Sequence, residues 1–588
     1  MFKFTHLQKI FKITSAHKDK KSIYLFFFIT LISLLEVLNI GLILPFFSIL
    51  LDENIISNSA KFGEIFKLVL PTSWLDNSNT IIKSKIEILL IGGSILFLLY
   101  LLKFVLIVLI YASIEKFTQK IKIKVCNEYY KRYINLPYKE HLNLKTSDIL
   151  NNMTRIYEIP NSLVTISNIL LECIVFVFIS IILFKINFVS TLMLFILLPS
   201  VSILIMKFNK SKLLVWSKDK HEFNTARIGN IQDFFRSVKD IKILGKYKNF
   251  FNQFNYNVSK HTELIKKERV LNYYPRYLME LLLVFSSLFI FYYMFKQSNN
   301  IVEILPQLGL FIIGGLRLMP SVNKIISGYN NLKNLNYLTE IFYNLRAKSN
   351  IQMEKNKNLN LSKVENFENL HLNNISYKYE KANTEIIANL SLGIKKNQTI
   401  GIIGNSGIGK STLLDLISGL IKPSSGDIQI NGQNINKFCN LNEVIGYVPQ
   451  QVYLVNDSIE NNIAVGIEKD KINKEKISKA IKLSNLENYI KKLSNGIDTI
   501  VGENGKLISG GERQRIGIAR ALYNNPEILL LDEATSSLNN EISEKIIDDL
   551  LKISTELSIV FVTHNIKHIS RFEKIYILDK KLTPYVNK

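Results

Sequence analysis

Apolar residues crowd the first 330 positions of this 588-residue chain and thin out afterwards. Six runs reach the length of about 20 residues that a helix needs to cross a bilayer. They lie at 23–50, 86–112, 161–185, 188–208, 274–295 and 301–327. The sixth is the least apolar, carrying Pro306, Gly309, Arg317 and Pro320, so it is expected to face a cavity rather than lipid. Between the first two runs, Phe62, Ile65, Phe66 and Val69 recur at helical spacing, with Lys61, Glu64 and Lys67 elsewhere on the wheel. That pattern predicts a short amphipathic helix, lying on the outer membrane surface with Trp74 as an anchor or packed on the ends of the spans. The chain therefore divides into a helical membrane domain over 1–344, a polar linker over 345–365 and an ordinary α/β domain over 366–588.

Charge orients this arrangement. The formal net charge is +24, and Lys and Arg concentrate in the connections 116–145 and 207–269. Basic connections stay on the cytosolic side. The outer connections near 186 and 297 are very short, and six spans return both termini to the cytosol. Membrane topology thus accounts for much of the basicity, and with no recognition motif beside it the charge does not indicate nucleic acid. Cys126, Cys173 and Cys439 are too far apart in sequence to form a metal-ligand pattern and read as reduced packing residues. The Lys-rich first twenty residues run into the first span without a small-residue cleavage pattern, so they predict an uncleaved membrane protein.

The chemistry lies in the second half. An apolar strand, Gln398-Thr399-Ile400-Gly401-Ile402-Ile403, leads into Gly404-Asn405-Ser406-Gly407-Ile408-Gly409-Lys410-Ser411, and a helix opens at Thr412. Strand, glycine loop and helix N-terminus together form a phosphate cradle, because converging backbone N–H groups and the helix dipole favour anionic oxygens. Lys410 adds a point charge for the β- and γ-phosphates, and Ser411 offers a hydroxyl to Mg²⁺. Downstream, the strand Ile528-Leu529-Leu530-Leu531 ends in Asp532 and Glu533. Their order behind a phosphate loop assigns Asp532 to Mg²⁺ and Glu533 to the attacking water as general base. Between the two motifs stands Ile508-Ser509-Gly510-Gly511-Glu512.

The phosphate loop and the Ser-Gly-Gly segment at this separation resemble the nucleotide-binding domain of ABC transporters, and the resemblance covers essentially the whole chain. It implies an exporter-type (type IV) ABC fold, with ATP and Mg²⁺ as cofactors. It also implies a homodimer, in which Ser509, Gly510, Gly511 and Glu512 of one copy close on the ATP held by the other. Tyr379 matches the aromatic that stacks on adenine, with Tyr377 as the neighbouring alternative, and Thr412 continues the phosphate loop. Gln450 matches the glutamine that contacts the metal and couples to the membrane domain. Glu503 matches an acidic loop beside the signature, and His564 the switch histidine that contacts the γ-phosphate. Three positions depart from the pattern: Ile508 for leucine, Asn539 for aspartate and Asn565 for arginine. None removes a catalytic group, so an active ATPase with two equivalent sites is expected. Asp240-Ile241-Lys242-Ile243-Leu244-Gly245-Lys246 resembles the second intracellular coupling region. Lys145-Thr146-Ser147-Asp148-Ile149-Leu150 is placed in the first.

Charged residues inside spans are costly and commonly line a cavity. Lys103, Arg276, Arg317 and Lys324 are the candidates, with pairing as the competing explanation, Arg276 with Glu280 in particular. Basic groups on a cavity suit an anionic headgroup better than a cationic drug. Gly315-Leu316-Arg317-Leu318-Met319-Pro320 and the residues after it resemble the sixth span of bacterial lipid-linked oligosaccharide flippases of the protein-glycosylation type. This resemblance implies a bacterial inner-membrane protein, its ATPase domain in the cytosol. The substrate would be a polyprenyl-pyrophosphate-linked oligosaccharide, turned from the cytosolic to the periplasmic leaflet. The rivals are an exporter of peptide, drug or lipid A type, and an ABC regulator that transports nothing.

Overall fold

In the computed structural model, residues 4–15, 30–31, 85–186, 188–297, 301–357, 362–379, 382–535 and 538–585 are described. The chain forms two compact units, one of 1–136 with 143–352 and the other of 137–142 with 353–588.

Helices dominate the described residues up to Lys357, of which 138–142 and 353–357 fall in the second unit. After α1 (Phe4–Thr14) come α2 (Lys85–Ile134), α3 (Tyr138–Asn143), α4 (Thr146–Arg155), α5 (Glu158–Ile186), α6 (Phe188–Arg236) and α7 (Val238–Leu244). The series continues with α8 (Tyr247–Gln297), α9 (Ile301–Asn334) and α10 (Asn336–Lys357). Among the described residues four helices are long and apolar enough to cross a membrane: Phe97–Ile134, Thr146–Ile181, Phe188–Arg236 and Tyr247–Lys296. The sixth expected span coincides with α9, while the first span and the amphipathic segment near residue 65 fall outside the described residues. α6 and α8 run to 49 and 51 residues, more than twice a bilayer crossing. Their excess carries the polar, Lys-rich sequence that the charge pattern had placed beyond the membrane. α8 packs on α6 and α9 on α5. The shared apolar core includes Val175, Ile179, Met279, Leu318, Val322 and Ile326.

The polar stretch from 345 begins as helix, because α10 runs to Lys357. Its apolar anchors lie just before that stretch: Leu338 and Phe342 are buried against Tyr129 and Ile13. Pro137 interrupts the chain after α2, and Pro137–Leu142 belongs to the second unit. The segment 145–150 leads into and begins α4, which packs on α6. Within that packing Asn151 donates to the His221 carbonyl at 3.1 Å and to Thr225 at 2.7 Å.

The second unit is built on two sheets. Strands β1 (Asn369–Tyr377), β2 (Ile387–Lys395), β4 (Ser425–Ile430) and β5 (Gln433–Asn434) make an antiparallel sheet in the order β2-β1-β4-β5. The larger sheet has the order β10-β9-β3-β8-β7-β6. It comprises β3 (Thr399–Ile403), β6 (Ile445–Val448), β7 (Ile528–Asp532), β8 (Ser558–Thr563), β9 (Lys574–Asp579) and β10 (Lys581–Pro584). Its strands are parallel except for the antiparallel edge pair β9–β10. The near-continuous apolar runs of β3, β7 and β8 follow from burial on both faces. One face packs on α11 (Lys410–Ile417) and the small sheet. The other packs on α12 (Lys474–Leu483), α13 (Gly510–Leu522) and α14 (Asn540–Lys552).

Candidate functional site

The C-terminal ends of β3, β7 and β8 converge, the usual place for a ligand in a parallel sheet. β3 delivers the phosphate loop, which turns into α11 through Gly409 at φ 106°. A Cβ there would stand 2.5 Å from Ile386, so glycine is required by both backbone and space. Lys410 is almost fully buried and donates to the carbonyls of Gly404 at 2.8 Å and Asn405 at 3.2 Å. Tyr379 is half-buried, its hydroxyl 3.2 Å from that of Thr412. Tyr377 is a core residue whose ring meets Tyr379 edge-on at 5.0 Å, which leaves Tyr379 as the aromatic with an accessible face.

β7 ends in Asp532, and Glu533 follows in the left-handed region at φ 47°. That strained backbone is held on both sides: the Glu533 N–H donates to the Val562 carbonyl at 2.9 Å, and Gln514 donates to the Glu533 carbonyl at 3.1 Å. Three groups surround the Glu533 carboxylate. Lys410 lies 3.3 Å away, Gln450 donates at 2.9 Å, and His564 Nδ1 lies at 3.5 Å. The structure therefore brings together Glu533, Gln450, His564 and Lys410. Asp532 accepts hydrogen bonds from Ser411 and Tyr447, and burial pushes its carboxyl up. Burial also pushes Asp415 up, to about 6, with Asp532 adding to the effect. Gln514, Tyr447 and Asp415 were not singled out from sequence; each acts through a contact distant in sequence that no local motif announces.

The fit to Mg²⁺ rests on oxygen donors. Among the described residues no cluster of three His, Cys, Asp or Glu side chains suited to a metal occurs. The Ser411 hydroxyl, the Asp532 carboxylate and the Gln450 amide are the donors present, a hard-oxygen set that suits Mg²⁺ once phosphate oxygens complete it.

The Ser-Gly-Gly turn is held within its own helix. Ser509 caps α13 by accepting from the Glu512 N–H at 3.3 Å, and Glu512 pairs with Arg515 at 2.9 Å. Two of the three departures have local structural roles. Asn539 caps α14 by accepting from the Ile542 N–H at 2.9 Å, and Asn565 accepts from the Lys567 N–H at 3.1 Å. Ile508, half-buried, packs on the helical-layer core.

In the helical unit, the four basic residues do not behave alike. Lys103 lies over the Tyr100 ring at 5.4 Å, and Arg276 is exposed on α8. No Arg276–Glu280 pair forms among the described residues, and both side chains are exposed. Arg317 and Lys324, by contrast, meet a carboxylate that the sequence reading passed over. Glu172 of α5 accepts from Lys324 at 2.6 Å and from Ser321 at 2.6 Å, with Arg317 at 3.5 Å. A lone acid in an apolar span was the available signal.

Comparisons with known proteins agree with this architecture. Residues 22–307 match the ABC transporter transmembrane region, and residues 387–536 match the ABC transporter family. An ATP-dependent lipid A-core flippase of Pasteurella multocida is 37% identical over 232 residues, 39% of this chain and 40% of that protein. That match therefore spans less than half of the relative's length. An export ATP-binding/permease protein of Rickettsia typhi is 27% identical over 530 residues, 84% of this chain and 86% of the other. The solved structure of a bacterial Atm1-family ABC exporter with ATP bound superposes with a TM-score of 0.73 at 19% identity, covering 96% of this chain and 94% of that one. That likeness shows the fold. The chain carries an ABC transporter transmembrane region followed by an ABC ATPase domain, and is an ABC exporter half-transporter.

Proposed function

We propose that two copies of this chain form an ATP-driven flippase of the bacterial inner membrane. Its cargo is an anionic glycolipid, specifically a polyprenyl-pyrophosphate-linked oligosaccharide turned from the cytosolic to the periplasmic leaflet. The observation that carries the substrate class is the pair of basic groups at Glu172. Arg317 and Lys324 both face the one Glu172 carboxylate. Basic groups on an accessible face suit an anionic headgroup. The Lys324 side chain is 57% exposed and so can be reached.

In the ATPase domain, Tyr379 stacks on the adenine while the backbone of Gly404–Thr412 and Lys410 hold the phosphates. Ser411, Asp532 and Gln450 would hold Mg²⁺, which would supply positive charge against that developing on the phosphates. Glu533 then takes the proton of the attacking water, and His564 contacts the γ-phosphate. Lys410 must leave Glu533 for the phosphates, so nucleotide entry frees the base. Ser509, Gly510, Gly511 and Glu512 at the N-terminus of α13 supply the second half of each site in the partner copy. The exposed Ile243 and Leu244 of α7 suit docking on an ATPase domain of the dimer.

A second reading, flipping of lipid A-core, is favoured by the name of the Pasteurella relative. Stimulation of ATP hydrolysis in reconstituted protein separates the two. The first reading expects a polyprenyl-pyrophosphate-linked sugar to stimulate turnover, and an uncharged polyprenol-linked sugar to leave it at the basal rate. Stimulation by lipid A-core alone supports the second. No stimulation by any lipid favours a regulator that transports nothing.

A further inference from the structure

The carboxylate between Arg317 and Lys324 occupies the position that an anionic headgroup would take. Glu172 is 2% exposed at its side chain, whereas Lys324 is 57% exposed. An arriving anion therefore meets the ammonium first and the carboxylate not at all. Ser321 connects the group: it donates to Glu172 Oε2 at 2.6 Å and accepts from Arg317 at 3.0 Å. Lys324 donates to the other oxygen, Oε1, at 2.6 Å.

The ionisable groups that face Glu172 can be followed helix by helix. α9 contributes Arg317 and Lys324, and α5 itself contributes Cys173. α2, which also packs on α5, places the Tyr111 hydroxyl on Asn168, one turn from Glu172. α1 and α6 contribute no ion pair to it among the described residues.

We propose that Glu172 is a displaceable counter-ion, exchanged for the substrate's phosphate at the cost of one proton taken from solvent. This inference rests on the anionic-substrate reading above. When Lys324 and Arg317 turn to the headgroup, Glu172 loses its cations while it is itself buried. A buried carboxylate in that position neutralises rather than remain ionised. The proton adds to Oε1, the oxygen Lys324 vacates, while Ser321 continues to donate to Oε2. The pair of cations thus faces an anion in both states, first Glu172 and then cargo. Uptake of a proton on binding means that affinity falls as pH rises, because the unbound state holds Glu172 ionised.

The test uses the full-length dimer in nanodiscs without nucleotide and a citronellyl-pyrophosphoryl sugar as probe. The phosphates of this diester do not titrate near neutrality, so any proton exchanged belongs to the protein. Titration calorimetry in two buffers of different ionisation enthalpy counts protons between pH 6 and 8. The expected result for wild type is about one proton taken up per probe bound, with affinity falling about tenfold per pH unit. Glu172→Gln should take up none, show a flat pH profile, and bind about tenfold more tightly at pH 8. Wild-type binding that is weakened by Lys324→Ala yet involves no proton overturns the counter-ion inference and leaves the anionic-substrate reading standing. Wild type that binds the uncharged citronellol-linked sugar equally well, or binds neither probe, overturns both. Should Glu172→Gln fail to fold, the wild-type proton count decides alone.

Discussion

At the scale of single residues, Glu533, the proposed base, is held by both its backbone and its side chain. Its backbone lies in a left-handed conformation fixed by Val562 and Gln514, and its carboxylate rests against Lys410, Gln450 and His564. Glu533→Gln keeps the amide geometry and removes the base, so ATP binding should survive while turnover falls by about 10²–10⁴-fold. Retained turnover in a phosphate-release assay would refute its role. Asp415 makes a stability prediction with a definite sign. Its folded pKa of about 6 stands above the ordinary 3.8, so the folded protein holds more protons between those values. Stability therefore falls as pH rises through that window and stays lower above it. Asp415→Asn should raise the unfolding midpoint at pH 7.5, by about 1–2 kcal/mol after allowing for its partial exposure, and the gain should vanish below pH 4. An unchanged midpoint at both pH values would contradict the assignment. Asn539 makes a smaller claim: as the cap of α14 its replacement by alanine should cost about 1 kcal/mol, whereas aspartate should be tolerated. Chemical denaturation of the three proteins side by side checks it.

At the scale of elements, the ATPase domain was legible because its signals are local. Strand, glycine loop and helix follow one another within about twenty residues, and Asp532 and Glu533 end a strand whose apolar run is unbroken. The helical unit was legible as helices but not as contacts. Glu172 meets Ser321 and Lys324 across separations of 149 and 152 residues, and no periodicity reports which faces of two apolar helices touch. The same limit applies between α2 and α4. The basic, polar character of 138–150 is continuous, and only Pro137 marks where the chain breaks. Likewise α10 carries its anchoring residues just before the polar stretch: Phe342 is fully buried, its ring 4.8 Å from Tyr129 and its carbonyl accepting from the Tyr129 hydroxyl at 3.1 Å. Tyr129→Ala removes both contacts and should destabilise the helical unit by about 3–5 kcal/mol. A thermal-shift measurement that leaves this variant at the wild-type midpoint would show that α10 is held elsewhere.

At the scale of the whole molecule, two cations rest on internal carboxylates: Lys410 on Glu533 in the ATPase domain and Lys324 on Glu172 in the helical unit. In the proposed function each carboxylate stands in for the phosphate group that the cation would hold. The central claim is that the first exchange drives movement of the lipid bound by the second. It is tested most directly by ATP-dependent flipping of a fluorescent polyprenyl-pyrophosphate-linked oligosaccharide in proteoliposomes of purified protein. The account predicts flipping by wild type with ATP, loss in Glu533→Gln, and marked slowing in Lys324→Ala. Flipping that persists in Glu533→Gln, or wild type that hydrolyses ATP and flips no pyrophosphate-linked lipid, would contradict it.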